Sequence, residues 1–100
     1  MKQKTLNGFN LIYSLIKMRW VSEIIKSISY GNNRYNQILN SIPQMSHTEL
    51  NRKLNLLLNK KVINKEDNNY ILLDFGKDLI HIFNHLEELE NEHNSRFRFQ

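Results

Sequence analysis

Cysteine is absent from the 100 residues, and the chain has only one proline and three glycines. The lack of cysteine excludes a disulfide framework, a thiolate metal site and a cysteine nucleophile or redox sensor within this sequence. Long apolar runs are missing too, since no stretch approaches the roughly 18 apolar residues that predict a membrane span. These absences favour a soluble, cytoplasmic protein that forms one small domain over residues 1–100.

Acidic residues are rare in the first two thirds of the chain. Residues 1–65 carry 11 Lys or Arg against Glu23 and Glu49 alone, a net charge of +9, whereas residues 66–100 carry −5. A basic majority with an acidic C-terminal segment favours a surface for polyanions, and a lopsided solvated surface is the alternative. The sequence also has no glycine-rich phosphate loop, no nucleophile motif and no carboxylate pair tied to a defined pocket, so neither catalysis nor a cofactor is expected.

The first third of the chain has the apolar spacing of a buried helix. Apolar residues recur at steps of three and four from Phe9 to Ile28, with a break expected near Lys17 and an end before Gly31. Trp20 lies on this stripe and is expected to pack in the core or at an interface. A second, short helix is predicted over about 35–41 and is stopped by Pro43.

The stretch "SHTELNRKLN", residues 46–55, predicts a third helix with a well-marked start. Ser46 is a good N-cap, and Glu49 three residues later completes the pattern of a capping box. Leucines then recur on one face, while polar side chains gather on the other. These polar residues suit base edges in a DNA major groove, where Arg pairs with guanine and Asn with adenine. They are Thr48, Asn51, Arg52 and Asn55.

The remaining third predicts a hairpin and a long helix. Apolar residues at 62–63 and 71–73 flank Asp67-Asn68-Asn69, which is typical of a short wing over 62–73. Asp74 is the expected N-cap of a last helix over 75–93. On that helix a heptad-like seam of apolar residues suits a partner helix, and together with residues of the first helix it forms the predicted dimer interface. The interface residues are Phe9, Ile12, Leu79, Ile82, Leu86 and Leu89.

Five segments, in order over about residues 9–93, resemble the HxlR-type winged helix-turn-helix transcriptional regulators, which are related in architecture to MarR. The segments are Arg19-Trp20, "RYNQI" at 34–38, "IPQMS" at 42–46, the leucines 50, 54 and 57, and "YILLDFGKDLI" at 70–80. The resemblance implies a mainly α fold with a small β-hairpin, in which a helix-turn-helix over about 34–59 precedes the wing and dimerisation uses terminal helices.

The resemblance further implies a homodimer on a roughly palindromic operator in double-stranded DNA, and we expect it to repress a nearby gene. By position, Ser46, His47, Thr48, Asn51 and Arg52 match the family's DNA-reading helix, and Arg34 matches the Arg that begins the helix-turn-helix. Lys65 is the only basic residue of the short wing, and we include it among the candidate DNA contacts. An unknown small molecule is a possible effector, because the N-terminal cysteine used as a sensor by several members is absent.

Two other interpretations stay open at this point. His81 and His85 lie one helical turn apart beside Glu88 and Glu92, so a metal-responsive repressor is an alternative to a solvated face, although no metal site is expected. A winged helix that has lost DNA binding and serves as a protein-interaction module is the other. The terminal segment 95–100 is expected to be disordered, with contact to DNA or another subunit as its alternative.

Overall fold

The fold was obtained as a computed structural model, which describes the backbone of residues 2–98 and the side chains of residues 10–96. Phe9 and the segment 97–100, both discussed above, lie outside the described side chains. The described chain forms five helices and one hairpin in an order typical of a winged helix-turn-helix. The elements are α1 (Lys2–Lys17), α2 (Val21–Ser29), α3 (Tyr35–Ser41), α4 (His47–Asn59), β1 (Ile63–Glu66), β2 (Asn69–Leu72) and α5 (Asp74–Arg98).

The break predicted near Lys17 is present between α1 and α2. Trp20 there adopts a left-handed conformation with φ of 73°, which is uncommon for a bulky side chain. Helix α2 ends in a Schellman motif, because Gly31 at φ of 104° bonds back to Ile28 and the Asn32 N–H donates to the carbonyl of Ser27. Backbone turns therefore precede and follow α2. The helix ends before Gly31, as the sequence predicted.

The core lies between α2 and the elements that surround it. Val21, Ile24 and Ile25 on α2 are fully buried, and they belong to one apolar core to which the other helices and both strands contribute. The partly buried Ser27 and Ser41 hydroxyls lie 2.7 Å apart and join α2 to α3. Helix α2 is thus the central support against which the helix-turn-helix and the last helix are placed.

The wing is a β-hairpin with a two-residue turn. Its strands pair antiparallel, from Ile63 opposite Leu72 to Glu66 opposite Asn69. Asp67 and Asn68 at the tip have φ of 50° and 68°, as a type I′ turn requires. The hairpin is held to the helix-turn-helix by Asn33, whose carbonyl accepts from the Tyr70 N–H at 2.7 Å and whose side-chain amide donates to the Tyr70 carbonyl at 2.9 Å. The wing therefore has a fixed position beside α3.

Helix α5 is longer than predicted and differs in two details. Asp74 is the first residue of the helix rather than its cap, since the Lys77 N–H already bonds to the Leu73 carbonyl. Leu79 is fully buried in the core of its own chain, so we reassign it from the interface seam to the core. The heptad spacing was misleading because a helix that packs on its own domain shows the same period. In the part of the chain described, no helix combines the length and apolar character needed to cross a membrane.

Candidate nucleic-acid interface

Helix α4 begins with the capping box that its sequence predicted. The Ser46 hydroxyl accepts from the Glu49 N–H at 3.1 Å, and the Glu49 carboxylate accepts from the Ser46 N–H at 2.9 Å. Two backbone donors that have no partner within the helix are thereby satisfied. The capping box therefore holds the first turn of α4 in one conformation. A helix inserted into the major groove uses this turn for base contacts.

The two faces of α4 differ sharply. Leu50, Leu54 and Leu57 are buried against the core, with exposed fractions of 2% or less. The four predicted base-reading residues are all exposed, and their spacing of three, four and seven places them on one stripe of the helix. The stripe consists of Thr48, Asn51, Arg52 and Asn55. The structure thus brings together, on one accessible surface, the side chains that the sequence singled out.

His47 does not lie free at the start of this stripe. Its Nδ1 is 3.2 Å from the Tyr35 hydroxyl, and the two rings stack with centroids 5.9 Å apart. Tyr35 is the first residue of α3, so this contact joins the beginnings of the two helices of the helix-turn-helix. His47 is exposed and thus both accessible and oriented by its neighbour.

A basic groove continues from Tyr35 to the wing. It has a volume of about 310 Å³ and is lined by residues of the α3 start and of the hairpin, among them Arg34, Tyr35, Lys65 and Tyr70. The Lys65 ammonium lies 5.3 Å from the centroid of the Tyr70 ring, a distance at which the cation and the ring attract. Arg34 and Lys65, which are 31 positions apart in sequence, line the same groove and could bind one stretch of phosphate backbone.

One contact at the start of α4 was not predicted. The indole N–H of Trp20 donates to the Glu49 carboxylate at 3.0 Å. The pKa of the Glu49 carboxyl lies below its ordinary value, chiefly because the carboxylate accepts the hydrogen bond from the Ser46 backbone N–H. The hydrogen bond from the Trp20 indole and the positive charge of Arg19 lower this pKa further. The carboxyl is therefore ionised at neutral pH. Trp20 and Glu49 are 29 positions apart, and neither residue type signals the other from sequence.

A comparison with protein families decides the class of the chain. The family model described as HxlR-like helix-turn-helix matches residues 15–97. The chain belongs to the HxlR-like helix-turn-helix family. This HxlR-like chain is therefore a DNA-binding transcriptional regulator, and its family is one of regulators rather than enzymes. The predicted family is confirmed.

Solved structures support the fold of this HxlR-like chain. It is similar to the crystal structure of quinone-bound YodB from B. subtilis, with a TM-score of 0.78, 23% sequence identity, and coverage of 85% of this chain and 96% of that one. The diamide-treated form of the same protein matches with a TM-score of 0.68 at 23% identity, covering 80% of this chain and 86% of that one. Among curated proteins no sequence match was found. The winged-helix fold is confirmed.

The predicted interface residues of the HxlR-like chain lie in different environments. Ile12 and Ile82 are partly buried, whereas Leu86 and Leu89 on the second half of α5 are 45% and 49% exposed. The described part of α5 beyond Phe83 is exposed throughout. Leu86 and Leu89 are three positions apart and thus form an exposed apolar pair on one side of α5.

The metal-responsive alternative receives no support from the described residues. His81 and His85 are both exposed on α5. Within residues 10–96 of the HxlR-like chain, no group of three or more His, Asp or Glu side chains is arranged to hold a metal ion.

Proposed function

We propose that this HxlR-like protein is a cytoplasmic, sequence-specific repressor that acts as a homodimer on a roughly palindromic operator. The observation that carries the proposal is the exposed polar stripe of α4, formed by Thr48, Asn51, Arg52 and Asn55 on a helix with a capped first turn. Arg52 pairs with guanine O6 and N7, and Asn51 with adenine N6 and N7, in the major groove. Ser46 and His47 at the helix start contact the adjoining backbone or bases.

Phosphate contacts come from the basic side chains around α4. Arg34 and Lys65 in the groove beside the wing bind one strand, and the exposed Lys60 and Lys61 extend the basic surface beyond the end of α4. Such contacts set the register and the affinity but carry no sequence information directly. The wing is short and has a single Lys, so in this proposal it contacts phosphates rather than reading bases.

The homodimer is supported by the shape of the single chain. Its radius of gyration is 15.3 Å and its principal extents are 51 × 42 × 23 Å, whereas a compact domain of this length has a radius of gyration of about 13 Å. Helix α5, at about 37 Å, continues past its last buried residue, Phe83, and carries the exposed Leu86 and Leu89 on this second half. A second copy that packs on this helix buries both leucines and places two α4 helices about 34 to 36 Å apart, one turn of DNA.

Regulation follows from that spacing. A small-molecule effector that changes the distance or the angle between the two α4 helices lowers operator affinity, because the half-site separation is set by the DNA. The sequence contains no cysteine, so the effector is not sensed by a thiol of these 100 residues.

A substitution of Arg52 tests base reading. Arg52→Ala is expected to cost about 1 to 3 kcal/mol in operator binding and to relax the preference at one position per half-site, while binding to unrelated DNA changes little. The measurement is fluorescence anisotropy on duplexes with single base changes in the region upstream of the gene.

Lys60→Ala is the matched control, since it removes one positive charge at the far end of α4. The control is expected to weaken binding to all duplexes by the same factor and to lower the salt slope. If Arg52→Ala behaved in the same uniform way, Arg52 would be a phosphate contact and base reading by it would be wrong. If wild-type protein bound no duplex, the protein-interaction alternative would replace the proposal.

A further inference from the structure

Trp20 lies at the joint between the N-terminal helices and is buried there. Its side chain is 8% exposed, its backbone has φ of 73°, and its carbonyl accepts the first hydrogen bond of α2, from Ile24 at 2.9 Å. A left-handed conformation costs free energy for a bulky residue and persists only where surrounding contacts impose it. The residues packed around this joint therefore hold Trp20 in its conformation.

The Trp20 indole reaches from this joint to the reading helix. The N–H donates to one oxygen of Glu49 at 3.0 Å, and the other oxygen of the same carboxylate accepts from the Ser46 N–H at 2.9 Å. The Arg19 guanidinium lies 4.6 Å from the centroid of the Trp20 ring, so a positive charge is held close to the link. Both oxygens of Glu49 are thus in use, one for the cap of α4 and one for the tie to α2.

Glu49 lies in the first turn of α4, between Thr48 and Asn51 in sequence. It is half-buried with its carboxylate on Trp20 and Ser46, whereas the side chains of Thr48 and Asn51 are exposed. A charge-assisted hydrogen bond at this point limits how far the first turn can rotate or slide on α2. Bidentate base contacts depend on such placement, because small displacements of a positioned group reduce its effect greatly.

We propose that Trp20 is a positioning residue for operator recognition, which holds the first turn of α4 in its reading orientation through the indole–Glu49 hydrogen bond. The proposal rests on the proposed function, since it concerns how the same helix reads bases. It assigns to Trp20 a role beyond packing. Trp20 itself touches no DNA in this proposal.

The test uses two substitutions that break the same hydrogen bond from opposite ends. Trp20→Phe keeps an aromatic ring in the core and removes the N–H donor. The Trp20 and Ser46 donors point at different oxygens of Glu49. In Glu49→Gln one of these oxygens becomes an NH2 group, and with the remaining oxygen in the capping box the NH2 faces the indole N–H and the bond to Trp20 is lost. Tyr30→Phe is the matched control, because it also removes one polar group from an aromatic ring, at an exposed position of α2's C-terminal end.

Operator and unrelated duplexes are titrated with the wild type, the two single variants and the double variant. The operator probe is a duplex from the region upstream of the gene. Each single variant is expected to lose about tenfold in operator affinity, and the double variant the same tenfold rather than a hundredfold, because one bond is lost in all three. Binding to unrelated DNA is expected to stay unchanged. A hundredfold loss in the double variant, equal losses on both duplexes, or no loss on the operator would overturn the proposal.

A second readout uses the free protein. Trp20 is the sole tryptophan of the chain, so its indole N–H gives one side-chain resonance in an ¹H–¹⁵N spectrum. Glu49→Gln is expected to shift this resonance and Tyr30→Phe to leave it in place; an unshifted resonance in Glu49→Gln would overturn the link.

If wild type bound both duplexes equally, the proposed function would fail, and the positioning role with it. If wild type selected the operator but the variants did too, only the positioning role would fail.

Discussion

The double substitution Leu86→Asp with Leu89→Asp is expected to produce a monomer whose operator affinity is at least about 100-fold weaker than that of wild type. Both leucines are about half exposed on the second half of α5, so the single chain tolerates a polar side chain at either position. In the proposed dimer the same positions are buried, and two carboxylates without partners there cost several kcal/mol. A monomer contacts one half-site only, which removes about half of the specific contacts.

The measurement combines sedimentation equilibrium with fluorescence anisotropy on the operator. Asn84→Asp with Asn91→Asp is the control, because these exposed residues lie seven apart on the opposite side of α5 and add the same charge. The control is expected to remain a dimer with nearly wild-type affinity. Retention of a stable dimer by the leucine variant, with an unchanged melting temperature, would show that subunits join through a different surface.

Gly76→Ala is expected to destabilise the protein by about 1 to 3 kcal/mol. In an unobstructed helix the same change stabilises by about 1 kcal/mol, because alanine has the higher helix propensity. Here a Cβ on Gly76 would overlap the carbonyl oxygen of Val62 and would lie 3.2 Å from a methyl carbon of Leu72. The Val62 carbonyl cannot move aside without loss, since it accepts from the Leu73 N–H at 3.0 Å.

Urea unfolding at one protein concentration measures this effect, because the stability of a dimer depends on concentration. Asn84→Ala on an exposed position of the same helix is the matched control and is expected to raise the free energy of unfolding by a few tenths of a kcal/mol. A Gly76→Ala variant as stable as wild type would mean that α5 can move away from the start of β1 at no cost. The two substitutions are expected to change the free energy of unfolding in opposite directions, so the two effects are easily distinguished.

Much of the fold was predictable because its signals are local. The capping box of Ser46 and Glu49 spans four residues, and the left-handed turn at Asp67-Asn68 spans two, so the residue types alone indicate the geometry. The exposed polar stripe of α4 was predictable for the same reason, since helical spacing places its four residues on one face once the buried leucines are identified. Family resemblance then added the order of the elements, which is the order that the structure has.

The remaining features depend on residues that are distant in sequence. The Trp20–Glu49 bond joins positions 29 apart, and the tie between Asn33 and Tyr70 joins positions 37 apart. Neither contact can be predicted from a local pattern in a single sequence. Leu79 was assigned to the interface because periodicity shows which face of a helix is apolar, not whether that face packs on its own chain or on a partner. Burial in the folded chain was needed to separate Leu79 from Leu86 and Leu89.

Sequence-specific DNA binding by α4 is tested most directly by an anisotropy titration of the purified protein. One probe is a duplex from the region upstream of the gene, and the other has the same composition in scrambled order, both at several salt concentrations from about 50 to 200 mM. We expect nanomolar binding to the first probe, at least about 10³-fold tighter than to the second, with affinity that falls steeply as salt rises. Equal and weak binding to both probes would contradict sequence reading by Asn51 and Arg52.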